Sequence, residues 1–254
     1  MNILGIIPAR YASSRFPAKA LADINGKTMI QRVVEQSRQA EALSRVVVAT
    51  DHEAIADHVR LFGGDVIMTS ENHQSGTDRC FEALQAVGGK IDYVINIQGD
   101  EPFIKPEQIN LLASVLDGKT ELATLVKKIA DPTVLVNPST PKVVINNRNE
   151  ALYFSRQTLP YLRERKPEEW LQHHTFYKHI GIYAYRADIL AQITQLPPSL
   201  LEKAEALEQL RWIENGYRIR CVVTELDSYG IDTPEDLERL ERNFSGAERK
   251  EGFL

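Results

Sequence analysis

Residues 3–21 read Ile3-Leu4-Gly5-Ile6-Ile7-Pro8-Ala9-Arg10-Tyr11-Ala12-Ser13-Ser14-Arg15-Phe16-Pro17-Ala18-Lys19-Ala20-Leu21. Residues 3–7 form a short unbroken apolar run, the pattern of a strand buried on both faces. A loop follows with cations at 10, 15 and 19 and small residues at 9, 12, 13 and 14. Open α/β sheets bind ligands just past the carboxyl ends of their strands, which is where this loop falls. The small residues let backbone N–H groups approach an anion, and Arg10 and Arg15 can hold phosphate oxygens bidentately. Neither GxxxxGK[ST] nor GxGxxG occurs, so the loop has neither the P-loop nor the dinucleotide fingerprint. Taken alone, the same cations also read as scattered charges on a solvated loop.

Working outward, apolar runs at 46–49, 66–68 and 93–97 alternate with helical patterns at 29–42, 53–62 and 75–86. That alternation predicts an α/β protein with a mixed, mostly parallel central sheet flanked by helices. Thr50 and Asp51 are suited to cap the helix at 53–62. From about residue 121 the pattern changes, with strands predicted at 122–126, 142–145, 152–154 and 176–185. A helix at 200–214, a strand at 217–223 and a helix at 234–242 follow. The Pro-rich, charged stretch 157–174 reads as an excursion. The chain is expected to be one domain over 1–254, with a small protruding subregion at about 120–190 and a frayed end at 245–254.

Composition narrows the function. Hydrophobic residues make up 43% of the 254 and charged residues 26%, as in an ordinary globular protein. Thirty Lys and Arg against 35 Asp and Glu give a net charge of -5, which argues against a nucleic-acid-coating protein but not against a small anionic substrate. No run reaches the roughly 18 apolar residues of a membrane span. The first ten residues lack a basic leader and a long apolar centre, so a cytoplasmic location is expected. Cys80 and Cys221 stand in no metal or redox spacing and are expected as buried thiols in a reducing compartment. His52-Glu53 with His58 is not HExxH, and the pair His173-His174 with His179 has no cysteine at zinc spacing. No GxSxG occurs.

Two further segments carry chemistry. Gln98-Gly99-Asp100-Glu101-Pro102 follows the strand at 93–97, placing Asp100 over the same sheet edge as the cationic loop. Mg²⁺ is commonly held by one or two carboxylates plus phosphate oxygens, a role open to Asp100. Seen alone it is equally an Asp in a strand-to-loop turn. In Gly230-Ile231-Asp232-Thr233-Pro234-Glu235-Asp236-Leu237, Thr233 as N-cap, Pro234 at the first position and Asp236 at the third are helix-start chemistry. Asp232 comes one residue too early to cap and is a second candidate metal ligand, or a solvated loop Asp. Three cations and one divalent metal would cover the roughly four charges of a nucleoside triphosphate.

Together these segments resemble the 3-deoxy-manno-octulosonate (KDO) cytidylyltransferases, also called CMP-KDO synthetases. The resemblance rests on Ile-Pro-Ala-Arg…Ser-x-Arg…Lys, Ser75-Gly76-Thr77-Asp78-Arg79, Gln98 to Pro102 and Gly230 to Leu237, in that order. Tyr153-Phe154-Ser155-Arg156, Lys178-His179-Ile180-Gly181-Ile182-Tyr183 and Leu207-Glu208-Gln209-Leu210-Arg211 extend it to nearly the whole chain. It implies a nucleotide-diphosphosugar-transferase (Rossmann-like) fold, a homodimer built on the protruding subregion, Mg²⁺, and the reaction of CTP with KDO to CMP-KDO and diphosphate for lipopolysaccharide synthesis. The anomeric hydroxyl would attack the α-phosphorus in line, a chemistry of positioning and charge stabilisation.

On this sequence the resemblance implies catalytic roles for Arg10, Arg15, Lys19, Asp100 and Asp232, the last two holding Mg²⁺. CTP would be bound by Pro8, Ala9, Arg10, Ser13, Ser14, Arg15, Lys19, Ser75, Gly76, Thr77, Arg79 and Asp100. Backbone and hydroxyls of the 75–79 turn would meet the pyrimidine, unless Ser75 or Thr77 merely caps a helix. Gln98, Arg156, His179, Tyr183, Glu208 and Gln209 would meet the sugar, with Gly181 leaving room between His179 and Tyr183; Arg156 is alternatively a dimer salt bridge. The first loop departs from the family's usual Pro-Gly-Lys-Pro-Leu, with Ala18 and Ala20 for the glycine and second proline. A cytidylyltransferase for another acid sugar is the nearest rival reading. A silent sensor would be expected to have lost one of the five polar site residues. A glycosyltransferase would typically show DxD, where Asp100 is followed by Glu101-Pro102.

Overall fold

The structure, a computed structural model, describes residues 1–12 and 16–239. The strands in chain order are β1 (Ile3–Ala9), β2 (Asp23–Ile24), β3 (Lys27–Thr28), β4 (Arg45–Thr50), β5 (Asp65–Met68) and β6 (Tyr93–Asn96). They continue with β7 (Leu122–Lys128), β8 (Lys142–Ile145), β9 (Ala151–Ser155), β10 (Tyr177–Arg186) and β11 (Ile219–Val223). The main sheet runs β11-β7-β10-β6-β1-β4-β5, with β8 and β9 branching from β10, while β2 and β3 form a separate hairpin. All neighbours along the main path are parallel except β10, which pairs antiparallel with both β6 and β7. The α/β class and mostly parallel sheet expected from the sequence are therefore present.

β1 shows why its sequence makes a central strand. Ile3, Ile7 and Ala9 enter the core on one face and Leu4 and Ile6 the core on the other. The first face is covered by helices Met29–Ser37, Glu53–Leu61 and Pro106–Ala113, through residues such as Val33, Ile55 and Leu112. The second is covered by helices Gly76–Val87 and Ala187–Ile193 and by Trp212. Cys80 and Cys221 are free and buried in this second core. Helices Pro106–Ala113 and Ala187–Ile193 fall where the sequence pattern suggested no element. A smaller cluster joins Ile24, Met29 and Ile231 with Phe16, Phe103 and Leu237, pinning the chain before Asp232 against the first loop. Another, of Ile129, Leu135, Trp170 and Phe176, holds the excursion together.

Three local expectations are corrected. The cap of helix Glu53–Leu61 is His52, whose Nδ1 accepts from Ala54 N; Asp51 is instead drawn into an internal ion pair. The first helix stops at Ser37 rather than 42, because the chain turns back there to enter β4 and Ala42 N is taken by Asn110 Oδ1. The single helix expected at 200–214 is two, Leu200–Glu205 and Gln209–Glu214. Ala206 adopts a left-handed conformation (φ 50°) between them, which lets Leu207 bury in the core and brings Glu208 to Thr77. Residues 234–239 are helical as expected; 240–242 and the expected frayed end lie outside the described residues.

Candidate active site

β1 and β6 lie side by side and parallel, so the loops leaving them meet at one sheet edge. They meet closely: a Cβ on Gly99 would fall 2.7 Å from the Pro8 carbonyl oxygen, so glycine is required for the two loops to touch. Gly76, opening helix Gly76–Val87, packs on Pro8 from the side. The Ile231 N–H donates to the Asp100 carbonyl (2.9 Å), bringing a segment over 130 residues downstream to the same edge. The open cleft so formed, about 960 Å³, is lined by Pro8 and Ala9 at the end of β1, by Arg10 and Lys19 of the first loop and by Gln98, Asp100 and Asp232. Gly76 and Arg79 complete its wall. Ser13, Ser14 and Arg15 lie outside the described residues.

Lys19 Nζ donates to Asp100 Oδ2 at 2.7 Å and to Asp232 Oδ1 at 3.3 Å. Two carboxylates thus share one cation at the cleft floor, an arrangement of hard oxygen donors that suits a divalent ion. Among the described residues no group of three or more His, Cys, Asp or Glu could hold a metal by itself. An ion here would draw its remaining ligands from substrate and water, as Mg²⁺ commonly does. Asp236 accepts from the N–H groups of Asp232 and Thr233, while Thr233 Oγ1 accepts from Asp236 N. The helix-start chemistry read from the sequence therefore also fixes the backbone of Asp232.

Several expected residues are used inside the protein. Ser75 Oγ accepts from Asp78 N and caps its helix. Thr77 Oγ1 donates to Glu208 Oε2 (2.7 Å), so within this turn the cleft is lined by Gly76 and Arg79 and not by the hydroxyls of Ser75 and Thr77. Thr77 begins a buried polar chain in which its hydroxyl lies 3.4 Å from Tyr185 OH, which accepts from Asn96 Nδ2 at 3.3 Å. Asn96 Oδ1 in turn accepts from Gln98 Nε2 at 3.4 Å. Burial raises the Glu208 carboxyl above its usual range, against the opposing pull of Thr77 and Ser75. Gln209 is buried beside it. Arg156 donates to the carbonyls of Glu205, Pro138 and Ala206 and lines neither of the cavities described here.

A second cavity of about 490 Å³ shares Asp232 with the cleft and is lined by Glu101, Thr140, Lys178, His179, Gly181 and Ser228, among others. Burial pushes the His179 imidazole down to about 3, so it is neutral, with Nε2 3.0 Å from Thr124 Oγ1. Tyr183 OH is buried without a hydrogen-bond partner among the described residues. Glu101 is pushed up to about 7 by burial and by the neighbouring Asp100 charge, while a hydrogen bond from Ser228 pulls it down.

Sequence reasoning missed one assembly. The fully buried Arg79 donates to Asp51 Oδ2 (2.8 Å) and Thr69 Oγ1 (2.6 Å). Asp51 Oδ1 accepts from Tyr11 N, and the Tyr11 ring stacks on His52 at 3.8 Å. The first loop is thereby tied to the end of β4. The available signal was positional: Asp51 follows β4 at the carboxyl edge, as Asp100 follows β6.

A parallel edge gathering cations, paired carboxylates and a glycine-tight loop contact around one cleft suits a nucleotide-handling transferase. Residues 4–219 match the cytidylyltransferase family. A 3-deoxy-manno-octulosonate cytidylyltransferase of Cytophaga hutchinsonii is 59% identical over 94% of this chain and 96% of its own; one of Geobacter sulfurreducens is 47% identical over 94% and 98%. The solved structure of a CMP:2-keto-3-deoxy-manno-octonic acid synthetase complexed with CTP matches at TM-score 0.89 and 42% identity, over 97% of this chain and 99% of the other. The chain belongs to the 3-deoxy-manno-octulosonate cytidylyltransferase family.

Proposed function

We propose that this enzyme transfers the cytidylyl group of CTP to KDO. The anomeric oxygen forms a bond to the α-phosphorus, the bond from that phosphorus to the leaving diphosphate breaks, and the hydroxyl proton is lost. The observation carrying this reading is Lys19 between Asp100 and Asp232 on the floor of a cleft that Arg10 also lines. Arg10 and Lys19 neutralise the triphosphate and the departing diphosphate, a role the sequence resemblance also implies for Arg15. Pro8, Ala9 and Gly76 present backbone to the nucleotide, and the buried pair Arg79–Asp51 holds the loop in register. Asp100 and Asp232 would hold Mg²⁺, which when bound supplies positive charge at phosphate oxygens and acidifies a coordinated hydroxyl.

The second cavity adjoins the cleft at Asp232 and takes the acid sugar, with Gln98 at the junction and His179 on its wall. Glu208 supports this side through the Thr77–Tyr185–Asn96 chain, with Gln209 buried beside it, and Tyr183 offers a hydroxyl with no internal partner among the described residues. Arg156 acts here as a structural brace. Assembly as a homodimer through the 120–190 subregion is consistent with exposed Val136, Leu152 and Tyr161. A cytoplasmic site suits an enzyme with two buried free thiols, and among the described residues no helix is long and apolar enough to cross a membrane.

The test is diphosphate release from CTP, UTP and ATP, with and without KDO and Mg²⁺. Release requiring CTP, KDO and Mg²⁺ together is expected. Release with UTP but not CTP refutes the base assignment, and release with CTP but without KDO refutes the acceptor.

A further inference from the structure

In the turn 98–102, most positions have an evident structural or site role. Gly99 permits the contact with Pro8, Asp100 holds Lys19, and the Glu101 N–H closes the turn onto the Gln98 carbonyl at 3.2 Å. The Glu101 side chain is left over. It lines the second cavity, is 8% exposed, and is engaged by Ser228. Its Oε2 is buried with no hydrogen-bond partner among the described residues. Leaving a buried carboxyl oxygen without a donor is costly, and a bracing role through Ser228 does not require it.

Gly181 faces this carboxyl. A Cβ built there would sit 3.6 Å from Glu101 Oε1 and 3.9 Å from Gln98 Cγ, so any larger side chain would close the space in front of both groups. Beyond Glu101, the charged lining of the cavity is Lys178, already paired with Asp227, Arg239 and the Asp232 it shares with the first cleft, while Thr140, His179 and Ser228 add neutral polar groups. A substrate whose reacting hydroxyl lies near Asp100 and Asp232 would extend its remaining hydroxyls towards Glu101.

We infer that Glu101 is a specificity-determining contact that accepts a hydrogen bond from a hydroxyl of the acceptor sugar acid. This rests on the cytidyl-transfer reading above.

The experiment is steady-state diphosphate release by E101A, E101D and E101Q, with KDO and CTP varied separately. E101A removes the acceptor and E101D withdraws it by one methylene; each is expected to raise KM for KDO about tenfold, the worth of one such bond, with KM for CTP within about twofold. E101Q keeps an acceptor oxygen and is expected within about threefold of wild type. One monodeoxy KDO should reproduce the loss on wild type and suffer no further loss on E101A. If E101A shows no cooperative melting, E101D carries the comparison. An unchanged KM for KDO, or KM for both substrates rising together, overturns the assignment, as does E101Q failing like E101A. Absence of turnover by the wild type with CTP and KDO overturns the underlying reading and the assignment with it.

Discussion

Lys19 and Asp100, 81 positions apart in the chain, form a 2.7 Å ion pair, and the same ammonium reaches Asp232 at 3.3 Å. If Asp100 and Asp232 hold a divalent ion as proposed, Lys19 competes with it for both carboxylates. On the proposed function, the polyphosphate is the alternative partner for that ammonium. We therefore expect nucleotide-free K19M to bind Mn²⁺ more tightly than wild type, read by loss of the free-ion EPR signal, with K19R resembling wild type. D100A should lower turnover by about 10²-fold or more while leaving circular dichroism unchanged.

The Arg79–Asp51 pair has side chains only 0% and 10% exposed. Removing one member of a buried pair strands the other, at a cost of about 3–5 kcal/mol. Asp51→Ala should lower the free energy of unfolding in urea by that amount and raise KM for CTP, since the Tyr11 N–H loses its acceptor as well.

Ala18, where the family usually has glycine, adopts φ 55°, ψ 25°. A side chain in the left-handed region costs about 1–2 kcal/mol, partly offset by the smaller backbone entropy of the unfolded alanine chain. Ala18→Gly is expected to stabilise the protein by about 0.5–1 kcal/mol, measured by the urea midpoint.

His179 gives the fold an acid sensitivity. Its folded-state value, about 3, lies below the ordinary 6.5, so between these values the unfolded chain binds the proton and the folded chain does not. Its contribution is complete above pH 6.5 and falls as pH drops towards 3, by at most about 1.4 kcal/mol per unit. Urea titrations at pH 7.0, 6.0 and 5.0 should show a shallower decline for His179→Asn than for wild type.

Where a local pattern expresses a global role, the sequence was readable. The apolar run 3–7, the strand-helix alternation and the helix-start chemistry around Asp232 each appear as anticipated, because burial on both faces and capping leave marks at short range. The break at Ala206 left none, since an alanine is compatible with a continued helix. It is the tertiary placement of Leu207 in the core and Glu208 against Thr77 that divides it. Asp51 likewise suited a capping role, and only the packing of Arg79 beneath β4 diverts it to an ion pair. Glu101 had no periodicity to declare it. The open space before its Oε1 depends on a glycine 80 positions away.

β10 is bonded to β7 over Tyr177–Ile180 and Tyr183–Tyr185, to β8 at Tyr177 and Lys178 and to β6 at Tyr183–Arg186, and it carries Lys178, His179 and Gly181 into the second cavity. Segments 139–141 and 228–230, which complete that cavity, are irregular connections outside the ladder. The molecule thus separates a fixed chassis from exchangeable walls. On the proposed function, grafting those two short stretches from a relative is expected to alter the affinity for the acceptor more than that for CTP, since the first cleft is built on β1 and β6.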